Sequence, residues 1–285
     1  MSTKLTVLDA GPLTTVQDLG RRGYAHLGVP RSGALDMAAA GYANRLVGNP
    51  PEAAVLETTL GGVSIQVSGS TMAAVTGAPA SVTVDGRPRP FAEPLLLRAG
   101  ETLTVGPAVS GLRSYLSFAG GVDATPVLGS RSTDTLSGLG PPRLTSGAKL
   151  ELGVPVGESH GADVPVVLRY PDTARVRLVP GPRHDWFTEG VLDFLTSTSY
   201  TVSARSNRVG VRLEGPSLER RERAELPSEG LVLGAVQVPA SGQPLVFLND
   251  HPTTGGYPVV GVVAPEDLNV CAQLRPGCML RFVLA

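Results

Sequence analysis

The chain has 285 residues, which is enough for one large domain or for two domains of ordinary size. It carries 24 Lys and Arg against 25 Asp and Glu, and 42% of its residues are hydrophobic, so the composition argues against disorder and against nucleic acid as a partner. No apolar run reaches the roughly 20 residues of a membrane helix, and the first residues lack the apolar core of a signal peptide. We therefore expect a cytoplasmic protein with no membrane partner.

The first predicted element is a helix over residues 33–47. This segment is rich in Ala, follows Ser32 as a candidate N-cap, and ends at the Gly-Asn-Pro of residues 48–50. Free N–H groups at its start offer an anion site, with Asp36 in the first turn. In the alternative interpretation Ser32 caps the helix and Asp36 complements its dipole, with no ligand involved.

Short alternating runs bounded by Gly, Pro, Asn or Asp follow, and they predict β-strands. Period-two alternation with a turn signal every ten or so residues is typical of β-barrels or β-sandwiches. Asp85-Gly86 predicts a hairpin turn. The predicted strands cover residues 63–67, 80–84, 102–105, 115–118 and 175–179.

The second half of the chain follows a segment of different composition. Residues 153–165 are rich in Gly, Pro and small polar residues, which is typical of a linker. We therefore predict two domains, one over residues 1–160 and one over residues 161–285. Residues 184–195 predict a second helix that packs on a barrel by its apolar side chains, Phe187, Val191, Phe194 and Leu195.

Several catalytic and cofactor motifs are missing from the sequence. There is no GxxxxGK[ST] loop for phosphates and no GxSxG turn for a nucleophilic serine. Neither the two cysteines nor the four histidines have metal-ligand spacing, so we predict no metal site. These absences weaken the hypothesis of a self-contained hydrolase or metalloenzyme. They also predict that no cofactor is bound by a motif of this chain.

Polar residues instead concentrate in Gly-rich stretches, of which the first holds Gln17, Asp18 and Arg21. The Arg21 guanidinium suits a carboxylate or phosphate, with Gln17 or Asp18 fixing its orientation. The alternative is that Asp18 and Arg21 pair with each other and brace a turn. Farther along the predicted helix, Asn44 is interpreted as a buried hydrogen-bonding residue.

A later stretch places Arg205, Asn207 and Arg208 immediately before a strand. Two arginines flanking an amide can present a cationic fork at a barrel rim. The alternative, a solvated β-turn with charges at the strand edge, explains the same residues without a ligand.

The most distinctive stretch runs from Asn249 to Pro258. Its Thr-Thr-Gly-Gly at residues 253–256 offers hydroxyls and loop amides, which suit an oxyanion or carboxylate. Asp250 and His251 suit an acid-base pair only if the chain turns between them, because neighbouring strand residues point to opposite faces. We therefore place Gln237 and the two threonines, Thr253 and Thr254, above His251 as site residues.

With these stretches in view, the sequence resembles the family of 5-oxoprolinase C subunits, also called allophanate hydrolase subunit 2 or biotin-dependent carboxyltransferase. The resemblance runs in order from about Leu5 to the C-terminus. It rests on residues 11–21, 28–30, 32–36, 43–49, 56–57, 205–210, 237–244 and 253–258.

This resemblance implies a mainly β fold, with two cyclophilin-like β-barrel domains and a few short helices. It implies the B and A subunits of 5-oxoprolinase as partners, and a complex that opens 5-oxo-L-proline to L-glutamate with ATP. The alternatives are a carboxyltransferase acting on urea or a related amide with a biotin carrier, or a regulatory protein that binds a partner. The chain departs from the family pattern at His251-Pro252, where many relatives carry Arg-Gln.

Together these observations lead us to expect one cleft for an amide or lactam substrate. Its catalytic residues are predicted to be Asp18, Asp36, Thr253 and Thr254. Its substrate-binding residues are predicted to be Gln17, Arg21, Arg205, Asn207, Arg208, Gln237 and Tyr257.

Overall fold

The computed structural model describes residues 3–161, 167–222, 224 and 226–285. Within these ranges the chain forms two compact units. Of the described residues, unit 1 comprises 3–21, 32–134, 138–161 and 167–169, and unit 2 comprises 22–31, 135–137, 170–222, 224 and 226–285. The predicted linker at residues 153–165 runs into residues 162–166, which lie outside the described residues, so the predicted domain limits stay predictions.

Unit 1 is built from two antiparallel sheets. One has the strand order β11-β12-β1-β4-β9-β6-β7, and the other has the order β2-β3-β10-β5-β8. The strands of the described residues are β1 Lys4–Ala10, β2 Leu13–Gln17, β3 Val55–Thr59, β4 Val63–Val67, β5 Thr71–Gly77, β6 Ala80–Val84, β7 Arg87–Arg89, β8 Leu95–Leu97, β9 Thr102–Ala108, β10 Arg113–Phe118, β11 Val122–Asp123 and β12 Lys149–Leu152.

The core of unit 1 lies between these sheets and follows from their period-two pattern. Leu5 and Val7 of β1 are fully buried, while Lys4 at the start of the strand is exposed. Val16 of β2 and Leu116 of β10 enter the same apolar cluster from the second sheet. One face of each sheet therefore supplies the core.

Helix α1, Met37–Leu46, covers the other face of the five-stranded sheet and contacts β5 and β10. It starts later than the sequence predicts. Ser32 has φ 53° and Gly33 has φ 97°, so this backbone lies in the left-handed region and cannot belong to the helix. The prediction of Ser32 as the cap is wrong, because Asp36 is the N-cap and its side chain accepts from Ala39 N–H.

Unit 2 is a closed barrel with the strand order β13-β20-β17-β18-β15-β14-β21. The parallel pair β13 and β21 closes it, and the other pairs of the barrel are antiparallel. A separate pair, β16 and β19, forms a two-stranded sheet. The strands are β13 Thr173–Pro180, β14 Ser199–Val202, β15 Gly210–Glu214, β16 Glu229–Gly230, β17 Ala235–Gln237, β18 Leu245–Phe247, β19 Thr254–Gly255, β20 Val259–Val263 and β21 Met279–Leu284.

The predicted helix at residues 184–195 is wrong as a single element. A 3-10 turn, His184–Trp186, is followed by extended backbone at Phe187 and by helix α2, Val191–Ser197. Gly190, with φ 77°, sits in the left-handed region between them. Phe187, Val191 and Leu195 are buried as predicted, but Phe194 is 43% exposed, so its predicted packing is wrong.

The other described helices are short: the 3-10 turns Ala25–Leu27 and Pro265–Asp267, and α3, Leu268–Ala272. The five predicted strands are confirmed as β4, β6, β9, β10 and β13, and the Asp85-Gly86 turn joins β6 to β7 with φ 48° and 73°. The mainly β fold with a closed barrel and few short helices is confirmed. No helix within the described residues has both the length and the apolar character that crossing a membrane requires.

Candidate functional site

In unit 1, Asp18 connects the end of β2 to a loop at residues 130–132. Its carboxylate accepts four hydrogen bonds at 2.6–2.8 Å, from the side chains of Ser130 and Ser132 and from the backbone N–H groups of Gly20 and Arg131. A carboxylate with four such donors is held in one orientation. Asp18 therefore fixes this loop against the end of the strand.

Gln17 and Arg21 are both buried beside the same loop. Gln17 Nε2 donates to Thr133 O at 3.0 Å, and Arg21 Nη2 donates to Ser132 O at 2.5 Å. Both bonds go to backbone carbonyls, so they position the loop main chain. The three predicted site residues near β2 thus meet at residues 130–133, which the sequence did not single out.

Asp36 belongs to a buried polar chain under the start of α1. Its N–H donates to Tyr115 Oη at 2.7 Å, and Tyr115 Oη–H donates to Glu57 Oε2 at 2.9 Å. The same Glu57 oxygen accepts from Leu35 N–H at 2.9 Å. Burial, followed by the charges of Glu57 and Asp36, raises the pKa of Tyr115 well above its ordinary value. Tyr115 is therefore a neutral hydrogen-bonding link that holds the backbone at residues 35–36.

Asn44 joins α1 to the segment that follows it, as the sequence predicts. Its Nδ2 donates to Ala53 O at 2.8 Å, and its Oδ1 accepts from Ser117 Oγ at 2.6 Å. Asn49 continues the network by donating to Phe118 O at 2.7 Å. These amides satisfy buried polar groups, so they have a structural role.

In unit 2, Arg208 forms a fully buried ion pair with Asp250. Its Nε and Nη2 donate to the two carboxylate oxygens, each at 3.0 Å. The backbone N–H and the hydroxyl of Thr135 donate to Asp250 Oδ2 at 2.9 and 2.7 Å. Two donors of Arg208 are therefore used inside the unit, and both oxygens of Asp250 are occupied by hydrogen bonds that stabilise the fold.

Asn207 and Arg205, next to this ion pair in sequence, differ in their roles. Asn207 Oδ1 accepts from the N–H groups of Val209 and Gly210 at 2.9 and 3.3 Å, which is an Asx-type turn into β15. The Arg205 side chain is 79% exposed, and its Nη2 lies 3.7 Å from Glu214 Oε1. The Asn207 side chain therefore stabilises a turn, whereas the Arg205 guanidinium faces solvent.

The segment that holds Thr253 and Thr254 is not the open loop that the sequence predicts. Thr254 and Gly255 form β19, which pairs with Glu229 and Gly230 of β16, and Thr253 O accepts from Leu231 N–H at 2.9 Å. The segment forms a strand because β16, which lies elsewhere in the sequence, supplies the backbone donors and acceptors that pair with it. The Thr254 side chain remains exposed and available to a ligand.

Gln237 and Tyr257 meet at the start of β20. Gln237 is buried, and its Nε2 donates to Tyr257 O at 3.0 Å. The Tyr257 ring is 46% exposed, and the Arg220 guanidinium lies 5.5 Å from its centroid. Gln237 thus positions the segment, while the aromatic ring faces outward.

His251 is buried, and its Nδ1 lies 2.7 Å from Pro252 O. Burial lowers its pKa, and the nearby Arg31 charge lowers it further, while the hydrogen bond to Pro252 and the charge of Asp250 oppose this shift. Its ring lies 5.9 Å from that of Phe247. His251 is therefore a packed residue that is harder to protonate than an ordinary histidine.

Each unit brings some of the predicted residues together. Unit 1 joins Gln17, Asp18 and Arg21 at one loop, while Asp36 belongs to the separate Tyr115 network. In unit 2, Gln237 contacts Tyr257, while Arg205, Asn207 and Arg208 lie together in the stretch before β15. Among the described residues, no group of three or more His, Cys, Asp or Glu side chains could hold a metal ion.

Sequence reasoning missed the residues that hold these predicted ones in place. Glu57 is the one charged residue of strand β3, which was the available signal, whereas Tyr115 lies among the polar residues of strand β10 with nothing to mark it. Ser130 and Ser132 lie in a polar run, and Thr135 follows it, with no motif to mark them. Only the fold brings the serines to Asp18 and the threonine to Asp250.

Comparison with known proteins places these features in a family context. The family model for the carboxyltransferase domain, subdomain A and B, matches residues 27–284. The 5-oxoprolinase C subunit of Escherichia coli strain K12 is 39% identical over 282 residues, which cover 98% of this chain and 90% of that protein. The protein of the same name from Haemophilus influenzae is 32% identical with the same coverage.

Larger enzymes contain a similar region. The urea amidolyase of Saccharomyces cerevisiae is 32% identical over 308 residues, which cover 99% of this chain but 16% of that enzyme. The crystal structure of the Kluyveromyces lactis urea amidolyase matches 99% of this chain with a TM-score of 0.92 and 31% identity. This chain spans 18% of that crystallised chain.

Proposed function

Because the chain belongs to the family of carboxyltransferase domains with subdomains A and B, we propose that it is the C subunit of an ATP-dependent 5-oxoprolinase. Together with the A and B subunits, it forms a complex that opens 5-oxo-L-proline to L-glutamate in the cytoplasm. The observation that carries this proposal is the 39% identity with a 5-oxoprolinase C subunit across 98% of this chain and 90% of that protein. Such coverage supports an equivalent subunit rather than a shared module.

The chemistry suits a division of labour between subunits. A lactam resists hydrolysis until its carbonyl is activated and the oxyanion that forms is stabilised. ATP supplies the activation, and the absence of a GxxxxGK[ST] loop supports ATP binding by another subunit. This chain contributes cationic and hydroxyl groups and has no activity by itself.

Within the chain, we assign substrate contact to the outward-facing predicted residues of unit 2. Arg205, Thr254 and Tyr257 present a charge, a hydroxyl and a ring to solvent. The buried predicted residues hold the surrounding loops in position through the hydrogen bonds described above: Gln17, Asp18, Arg21, Asp36, Asn207, Arg208 and Gln237.

Reconstitution tests the proposal. The chain, the A and B subunits together, and all three are incubated with 5-oxo-L-proline and ATP, and glutamate release is measured. We expect turnover only with all three present and only with ATP. Full turnover by the A and B subunits alone, or none by the three together, would contradict the assignment.

A matched pair of variants locates the contribution of this chain. Thr254→Ala removes an exposed hydroxyl of β19 and is expected to lower turnover, because that hydroxyl no longer reaches the substrate. Thr173→Ala removes an exposed hydroxyl at the start of β13 and is expected to leave turnover unchanged. Equal rates for the two variants would show that the Thr254 hydroxyl has no role.

A second candidate is a carboxyltransferase subunit that acts on urea or a related amide with a biotin carrier. The similarity to urea amidolyase across 99% of this chain favours it. Lys4 and Lys149 are the only lysines, and neither lies in a biotin-attachment motif, so the carrier would be another protein. Urea-dependent loss of the carboxyl group from a carboxylated carrier, without 5-oxoproline turnover, would support this candidate over the first.

A further inference from the structure

An open cavity of about 380 Å³ lies in unit 1 beside β11, the edge strand of the seven-stranded sheet. Cavities of this size are typical of sites for small molecules. Three charged side chains line it: Glu52, Asp123 and Arg131. Val154 and Val156 supply part of its apolar wall. The cavity therefore combines one cation and two carboxylates with apolar surface.

The backbone of two glycines forms another part of the wall. Gly120 has φ 90°, and it lies so close to Gly153 that a Cβ at residue 120 would be 2.1 Å from Gly153 O. Gly153 N–H donates to Gly121 O at 3.0 Å. A side chain at residue 120 would push these two segments apart. The wall is therefore held by packed and hydrogen-bonded backbone, so the cavity is part of the fold.

Arg131 is placed at the cavity by the Asp18 carboxylate. The Arg131 N–H donates to Asp18 Oδ2 at 2.6 Å. The hydroxyls of its two neighbours, Ser130 and Ser132, each donate to Asp18 Oδ1 at 2.6 Å. The loop is thus fixed on both sides of Arg131, and the side chain that lines the cavity extends from an anchored main chain.

The chain itself binds the Arg131 guanidinium only loosely. Nη2 lies 3.4 Å from Asp123 Oδ1, which is longer than the about 2.7–2.9 Å of a strong charged hydrogen bond. Nε is shielded from solvent and has no acceptor within the described residues. Guanidinium N–H groups away from water are normally paired. The guanidinium at this cavity thus has donor capacity that the described residues leave unused.

The charges of the cavity favour a ligand that carries both signs. A plain carboxylate would be repelled by Asp123 and Glu52, and a plain cation would leave the Arg131 Nε without an acceptor. An α-amino acid presents a carboxylate to the guanidinium fork and an ammonium to the acids. We propose that this cavity binds the zwitterionic head group of an α-amino acid.

The identity of the amino acid rests on the proposed function. Opening 5-oxo-L-proline breaks the bond between its carbonyl carbon and its ring nitrogen. One water supplies the new carboxylate oxygen and the two protons that turn the ring N–H into the ammonium of L-glutamate. The lactam nitrogen of the substrate carries no positive charge, so the two acids select the product. The ligand is therefore L-glutamate, whose methylene groups pack on Val154 and Val156.

Ligand binding to the full chain, without other subunits, tests the site by calorimetry. L-Glutamate is compared with 5-oxo-L-proline and with N-acetyl-L-glutamate, which keeps both carboxylates but has no ammonium. We expect L-glutamate to bind at least about tenfold more tightly than either, because only its ammonium pairs with the acids. Equal binding of L-glutamate and N-acetyl-L-glutamate, or no binding of L-glutamate, would overturn the proposal.

Variants identify the charged groups that bind the head group. Arg131→Gln and Asp123→Asn are each expected to weaken L-glutamate binding by at least about tenfold, because each removes one charged partner. Arg131→Gln keeps the backbone N–H that binds Asp18, and thermal unfolding checks that the fold is intact. The matched control Arg98→Gln breaks an exposed ion pair with Glu101 and should leave binding unchanged. Wild-type affinity in either cavity variant would overturn the site.

The binding and turnover results separate the two proposals. L-Glutamate binding that depends on Arg131, without turnover in the reconstituted complex, would support the site and contradict the 5-oxoprolinase assignment. Turnover by the complex, with no binding of L-glutamate to the chain, would contradict the site and support the assignment.

Discussion

Asp250 combines complete burial with a full set of hydrogen bonds. Its two oxygens accept from two donors of Arg208 and from two donors of Thr135, and neither charged side chain of the ion pair is more than 1% exposed. Taking charges out of water is costly, and the paired geometry offsets this cost only while every partner is present. The ion pair therefore fixes the backbone where β15 and β18 meet at one end.

Removing the carboxylate of Asp250 should expose this dependence. We expect Asp250→Ala to lower the free energy of unfolding by about 3–5 kcal/mol, because it leaves the Arg208 charge buried without its partner. The measurement is denaturant unfolding. The matched control is Arg177→Ala, which removes an exposed ion pair with Asp267 and should change stability far less. Equal losses in the two variants would contradict this account.

Single residues show how far the sequence can predict a site. Arg208 and Asp250 both lie in stretches whose polar residues mark them as candidates. Their pairing, and the contact of Asp250 with Thr135 across 115 positions, depends on the barrel and leaves no local pattern. The sequence therefore singled out polar residues, but it did not separate those that position loops from those that face solvent.

At the scale of elements, helix α1 shows a competition between two candidate caps. Ser32 precedes the Ala-rich segment and has the right chemistry, but its φ of 53° and that of Gly33 at 97° turn the chain before the helix begins. Ala34 N–H then donates to Asp18 O at 2.9 Å. A tertiary contact thus moves the helix start to Asp36.

The two residues should respond differently to substitution by alanine. Asp36→Ala is expected to cost about 1 kcal/mol, because Ala39 N–H loses its acceptor at the helix start. Ser32→Ala should cost less, since the buried Ser32 hydroxyl has no partner among the described residues. Thermal unfolding of both variants, with Asp36→Asn as the cap-preserving control, measures this difference. A larger loss for Ser32→Ala would restore the cap predicted from sequence.

Strands were easier to predict than helices in this chain. Alternating burial in β4 and β6 is a local property that the sequence shows directly. At residues 184–195 the apolar spacing also satisfied a helix, yet Gly190 at φ 77° and extended Phe187 divide the segment. Periodicity identified the buried Val191 and Leu195, but it missed both the backbone break and the exposure of Phe194.

At the scale of the whole chain, the topology of unit 2 places the first and last barrel strands side by side. β21 runs parallel to β13, from Thr173 beside Met279 to Leu178 beside Leu284, and antiparallel to β14. Such non-local pairing contributes to slow folding, because a long loop must close before the contacts form. No local signal in the sequence reveals this closure.

The barrel should therefore open when β21 is removed. Deleting residues 279–285 leaves the edges of β13 and β14 without partners, and it removes the fully buried Leu280 and Phe282 from the core. Each such side chain contributes about 1.5–3 kcal/mol by burial, so we expect amides of β13 and β14 to lose protection in hydrogen exchange. Deletion of Ala285 alone, which spares β21, is the control. Unchanged protection in the longer deletion would mean that β21 is not what closes the barrel.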